Sequence, residues 1–146
     1  MVKYRKKTSV RHARPDVRTA LTHRRKHMET LLQGDADGPK RSARIRDMND
    51  NFRRTFIGGV VTVTQGVDAL CREVKSEVMR RVRTFDHFNT DNDPHGEHDF
   101  GSFDLAGDKF FWKIDYYDPT LESGSEDPTD PTKTTRVLTL MLAAEY

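Results

Sequence analysis

From Val2 to Arg44 apolar residues are sparse, and beyond that point they fall into regular patterns. Val60-Val61-Thr62-Val63-Thr64 is β-branched throughout and bounded by Gly58-Gly59 and Gly66, which predicts a strand. Leu70, Val74, Val78, Val82 and Phe85 recur every three or four residues while Arg72, Lys75, Arg80 and Arg83 take other faces. The segment from Asp68 to Phe85 therefore reads as an amphipathic helix capped by Asp68. Alternation then takes over: Phe110, Trp112, Ile114 and Tyr116 share one face, and Phe111, Lys113, Asp115 and Tyr117 the other. The Phe110 face is the expected core. Strands from His98 to Leu105 and from Lys109 to Tyr117 flank Ala106-Gly107-Asp108, a hairpin on a glycine turn.

Two further helices complete the pattern. Ile45, Met48 and Phe52 form one apolar stripe on a helix from about Ala43 to Arg54, which docks on the domain. Asp130-Pro131 fits cap and first-turn positions, and Val137, Leu138, Leu140, Met141 and Leu142 are too apolar to be surface, so a last helix is expected over 131–146. The resulting fold class is α+β: a small antiparallel sheet of strands about 60–64, 98–105 and 109–117, packed against helices about 43–54, 68–85 and 131–146.

The segment 1–42 is a basic arm, conditionally ordered, ahead of a single domain over 43–146. It buries too little apolar surface to offset its ordering entropy alone. One piece has helical spacing, with Pro15 at a first turn, Val17, Ala20, Leu21, Met28, Leu31 and Leu32 following, and Gly34 closing it. A length of 146 residues allows one ordinary domain and a tail. No run reaches the roughly 20 apolar residues needed to cross a bilayer, and MVKYRKKTSVRHARP has no apolar stretch behind it, so a cytoplasmic protein without a secretory signal is expected. The single cysteine, Cys71, supports neither an internal disulfide nor a multi-cysteine zinc site, and its place beside Leu70 suggests a buried structural thiol.

The net charge of +2 averages two opposite halves. Residues 1–54 hold 16 Lys+Arg and 6 Asp+Glu, a net of +10, and residues 55–146 hold 9 and 17, a net of −8. Between 90 and 130 there are 12 acidic residues against Lys109 and Lys113 alone. In the arm, Lys3, Arg5, Lys6, Lys7, Arg11, Arg14, Arg18, Arg24, Arg25 and Lys26 are candidate phosphate contacts, interleaved with Tyr4, His12 and His23. In the domain, Asp91, Asp93, Glu97, Asp99, Asp118, Glu122, Glu126 and Asp127 are a candidate acidic partner surface.

Chemistry is thin. Asp91-Asn92-Asp93-Pro94-His95-Gly96-Glu97-His98-Asp99 holds hard oxygen ligands and two imidazoles. As a calcium loop it fails, with His95 at position five and Ser102 where a bidentate Glu is required. As a transition-metal site it offers His95 and His98 with Glu97 or Asp99, which cannot all converge because neighbours on an extended strand point to opposite faces. Asp93, His95, His98 and Asp115 are the weak metal candidates on which a metal-dependent hydrolase would centre. An Asx-rich turn bonded to its own backbone explains the run more simply. His98 or Glu97 with Asp115 across the hairpin, and Tyr116 or Tyr117 nearby, would be the acid/base pair of an enzyme. No serine elbow, phosphate loop, zincin helix or other cofactor motif is present. Trp112 and its aromatic neighbours could stack bases, but strict alternation favours a core face.

Met48 to Arg53, the loop Asp91 to Gly101, Phe111 to Asp118, Arg136-Val137-Leu138-Thr139 and Ala144-Glu145-Tyr146 resemble an uncharacterised bacterial domain-of-unknown-function family, proteobacterial and often plasmid-borne, over about Ile45 to Tyr146. The resemblance carries over no catalytic residues, and it implies a role tied to mobile elements. The reading is a non-enzymatic protein that engages nucleic acid or a nucleoprotein complex through the arm, its domain binding a host protein partner. An antirestriction or anti-CRISPR inhibitor is one concrete version. The alternatives are an acidic nucleic-acid mimic using residues 90–130 and a metal-dependent hydrolase.

Overall fold

Helix and sheet here form two layers, with the helices on one face of the sheet. The structure, a computed structural model, describes residues 37–146. The expected helix from Pro15 to Gly34 and the arm residues from Lys3 to Lys26 lie outside the described residues. The chain order is α1 Gly38–Thr55, β1 Gly59–Val63, α2 Gln65–Asp68, α3 Arg72–Thr84, β2 Phe100–Leu105, β3 Asp108–Tyr117, β4 Thr135–Leu142 and a closing 3₁₀ turn Ala143–Glu145. Among the described residues no helix is long and apolar enough to cross a membrane.

The sheet has four strands in the order β1-β4-β3-β2 and is mixed. β2 and β3 form the expected hairpin. Its loop residues Ala106 (φ 53°) and Gly107 (φ 87°) both adopt the left-handed conformation that a two-residue turn between twisted strands requires. β4 pairs antiparallel with β3 on one side and parallel with β1 on the other. The expected last helix over 131–146 is therefore wrong, and so is the all-antiparallel sheet of three strands. β4 carries apolar side chains on both faces, Leu138 and Leu140 toward the helices and Val137 and Met141 on the other side, so it reads as a nearly continuous apolar run. Its β-branched Thr135, Val137 and Thr139 favour the extended form. Asp130 does not cap a helix, because its carboxylate accepts the Thr132 amide at 2.8 Å and hydroxyl at 2.7 Å in a local turn.

The long helix expected from Asp68 to Phe85 is broken. α2 is one turn long, and α3 starts at Arg72 with Cys71 in extended geometry before it. That geometry leaves Cys71 exposed rather than buried. α3 still buries Val78 and Val82 of the predicted stripe, and Phe85 is buried just beyond its end. α1 begins at Gly38, earlier than Ala43, with Pro39 in its first turn, where a missing N–H is harmless. It ends where Phe56 turns left-handed (φ 57°) and donates its amide to the Phe52 carbonyl.

Phe110, Trp112 and Ile114 on β3 join Leu138 and Leu140 on β4, Val61 on β1, and Phe52, Phe56, Val78 and Val82 from the helices in one core. The alternation of β3 thus points its aromatic face at the helices. At the other end, Glu145 accepts the amides of Gly66 (2.7 Å) and Leu142 (3.0 Å) and the Thr64 hydroxyl, clasping the C-terminal turn to α2.

Trp112 is fully buried opposite Gly101 in the hairpin. A Cβ at Gly101 would come within 2.5 Å of Trp112 Nε1, so only glycine lets the indole lie flat across β2. Gly101→Ala is expected to cost about 1–3 kcal/mol of stability through overpacking. Urea unfolding followed by Trp112 fluorescence measures it, and an unchanged midpoint would mean that the indole shifts freely.

Candidate functional site

The inward face of α1 is not purely apolar. Ile45, Asn49, Phe52 and Arg53 are all buried, so an amide and a guanidinium enter the core side by side with an isoleucine and a phenylalanine. Each polar group must find partners there.

Asn49 finds them on three other segments. Its Nδ2 donates to the Glu97 carbonyl at 2.9 Å and to the Tyr116 hydroxyl at 2.7 Å, and its Oδ1 accepts Arg136 Nε at 2.8 Å. The Tyr116 hydroxyl in turn donates to Glu97 Oε2 at 3.0 Å. Arg136 completes the set by donating Nη2 to the Pro128 carbonyl at 2.7 Å, and its guanidinium lies 5.4 Å over the Tyr116 ring. Burial, then the charges of Glu97 and Asp99, hold the Tyr116 hydroxyl protonated well above its ordinary range. Burial also pulls the Arg136 guanidinium down.

One turn on, Arg53 donates Nη1 to the carbonyls of Val82 (2.7 Å) and Arg83 (3.1 Å), closing the end of α3, and Nη2 to Asp50 at 2.9 Å. Its Nε meets no acceptor; the guanidinium instead packs against the rings of Trp112 (5.4 Å) and Phe88 (5.5 Å). Asp50 also faces His98 Nδ1 at 3.1 Å, and His98 Nε2 faces Asp93 at 3.6 Å. Phe88 stacks flat on the imidazole, ring centroids 3.6 Å apart. His98 has a left-handed backbone (φ 53°), held because Asp93 Oδ1 accepts both the Glu97 and the His98 amides. The expected Asx-rich turn is present, and Asn89 and Asn92 bond its first half to its own backbone.

The residues proposed for chemistry are thus partly brought together and partly separated. Asp93 and His98 meet, with Asp50 as a third member, but the two carboxylates address opposite ring nitrogens and cannot converge on one ion. Among the described residues no group of three or more His, Cys, Asp or Glu is arranged to hold a metal. Asp115 lies on the opposite sheet face from Tyr116, paired with Lys113 at 2.7 Å, so the acid/base pair with His98 or Glu97 does not form. His95 is half-buried in the same loop.

The acidic candidates divide as well. Asp91 and Glu122 face solvent, and Glu126 faces Lys133 at 3.9 Å. Glu97 and Asp93 turn inward, and Asp99 is half-buried. Asp118 accepts the Thr120 hydroxyl and the amides of Glu122 and Ser123, and Asp127 accepts from Thr129 while pairing with Arg41 at 3.3 Å. Asn49, Asp50, Arg53, Phe88 and Arg136 escaped the sequence reading of sites. The available signal was Asn49 and Arg53 at helical spacing from Ile45 and Phe52.

Truncating Asn49 strands buried partners on three segments, so Asn49→Ala is expected to lose about 3 kcal/mol, measured by urea unfolding. A loss under about 1 kcal/mol would mean that the segments hold together without it. Asp50 supplies a pH prediction. Burial alone would raise its carboxyl, but hydrogen bonds from Arg53 and His98 and their charges outweigh that and lower it. A folded value below the unfolded one, about 3.9, gives stability that is complete above about pH 4 and is lost as pH falls through the folded value. Wild type should lose stability below about pH 4 more steeply than Asp50→Asn; parallel acid profiles would contradict this.

No curated protein and no solved structure matches the chain. A family match starts at residue 63, later than the Ile45 from which the resemblance runs, and extends to 145: the chain belongs to the family described as protein of unknown function (DUF3768).

Proposed function

We propose that this chain is a non-enzymatic interaction protein that engages nucleic acid or a nucleoprotein complex through its basic N-terminal segment, while the folded domain serves a protein partner. One observation carries the non-enzymatic part. The groups that a catalytic reading would use are engaged in internal contacts: Glu97 with Tyr116, His98 between Asp50 and Asp93, and Asp115 with Lys113. They hold loops and strands in place rather than facing a substrate.

The charge pattern supports the rest. Ten Lys and Arg lie between Lys3 and Lys26, and phosphate neutralisation by such a segment releases counterions. The cytoplasm is where such a contact is available. In the bacterial, plasmid-borne setting that the resemblance implies, the role takes the form of an inhibitor of host defence, of antirestriction or anti-CRISPR type. The acidic-mimic alternative is weakened because Asp93, Glu97, Asp118 and Asp127 serve the fold itself.

An electrophoretic shift assay at two salt concentrations tests the reading, using the full chain and a variant with Lys3, Arg5, Lys6, Lys7, Arg11 and Arg14 changed to Gln. Wild type should shift duplex or single-stranded nucleic acid at low salt and lose affinity steeply at high salt, and the variant should bind at least about tenfold more weakly. Equal binding by both proteins, or none by either, overturns the nucleic-acid contact of the arm.

A further inference from the structure

Charge in the folded part is sorted by element. α1 carries six basic and two acidic residues, and α3 five and two. All other described residues together carry four basic, Lys109, Lys113, Lys133 and Arg136, against sixteen acidic. α1 and α3 are thus net +7 together, and the rest of the described residues net −12. Nine of the eleven helical cations are arginine, the side chain that grips phosphate through a planar fork.

We infer that the outer face of α1 and α3 is a second, ordered contact surface for the phosphate backbone of duplex nucleic acid. The inference rests on the reading of the chain as a nucleic-acid-binding protein but assigns the contact to a different part of it. α1 begins where the basic segment ends, and its outward stripe runs through Lys40, Arg44 and Arg54. Arg53 bonds to the carbonyls of Val82 and Arg83 and so joins the ends of the two helices. Beside that joint the Arg83 guanidinium lies 4.6 Å over the Phe56 ring, which fixes its plane before any ligand arrives.

A purely structural account covers only some of these cations. Arginines in the last turns, such as Arg54 and Arg83, complement the helix dipole, and Arg80 and Arg81 share Glu77. Arg44 lies mid-helix, and Arg72 occupies the first turn of α3, where the dipole disfavours a cation. Both are exposed, and neither forms an ion pair among the described residues. A bound phosphate would supply the missing anion.

Fluorescence anisotropy with a labelled 20-bp duplex of mixed sequence, read across a salt series on full-length proteins, tests the assignment. The helix variant carries Arg44→Gln, Arg54→Gln and Arg72→Gln; the arm variant carries Lys3→Gln, Arg5→Gln, Lys6→Gln and Lys7→Gln; a control carries Lys109→Gln and Lys133→Gln. The three helix positions are exposed, so the variant should fold, and thermal unfolding by circular dichroism checks it. At about 0.9 per phosphate contact, the helix variant should lower the slope of log K against log salt by two to three and weaken binding at least about tenfold at low salt. The control should leave both unchanged. A folded helix variant with wild-type slope and affinity overturns the inference while leaving the arm contact standing. Wild-type binding by the arm variant beside a weak helix variant does the reverse. A full chain that does not bind the duplex at all overturns the inference, and the arm contact falls with it where single-stranded nucleic acid is not bound either.

Discussion

An amide buried in the middle of a helix must meet partners on every side, and the attachment of α1 to the sheet follows from how Asn49 meets this demand. Its two polar atoms reach the Glu97 carbonyl, the Tyr116 hydroxyl and the Arg136 guanidinium, which belong to the loop before β2, to β3 and to β4. Apolar packing through Ile45 and Phe52 supplies most of the burial but tolerates sliding, whereas hydrogen bonds to three segments fix one register. Arg53 does the same for α3, because its guanidinium can bond the Val82 and Arg83 carbonyls only when the two helices are docked.

That constraint spreads into the acidic loop. Because Asn49 holds the Glu97 carbonyl while Asp50 faces His98, residues 97 and 98 are gripped by successive side chains of one helix. Asp93 grips the same two residues from the other side through their amides. A left-handed histidine stacked on Phe88 is the result. His98, an acid/base candidate in the sequence, is thereby held between the carboxylates of Asp50 and Asp93.

Which parts of this were legible in the sequence follows from the period of each element. The Phe110-to-Tyr116 face, the glycine hairpin and the Val60-to-Val63 strand each have a half-buried or turn-limited pattern that only one structure satisfies. Val137 to Leu142 does not: Val137 and Met141 put apolar residues on the face opposite Leu138 and Leu140, and the resulting run after Asp-Pro imitates a capped helix. Its parallel pairing with β1 was out of reach for the same reason, since it needs β4 to be a strand first. The break between α2 and α3 left the apolar period intact, because Leu70 still packs inward on the far side of it. The polar cluster was hidden for a different reason. A sequence shows that Asn49, Arg53 and Arg136 are polar, but most of the partners that make them buriable come from segments 29 to 87 residues away.

The same staple decides what the family match means for the basic half of the chain. α1 precedes the matched stretch, whereas Glu97, Tyr116 and Arg136 all lie within it. The helix that continues the basic arm is thus bound to the shared part of the fold by hydrogen bonds as well as by apolar contact. Where α1 docks, its cations are presented beside those of α3. The helix is held in register, because a shifted α1 would carry Arg53 and Asp50 off their partners and leave two charges buried without compensation. Asn49 and Arg53 therefore do more than stabilise a small domain. They fix the direction in which its positive face points.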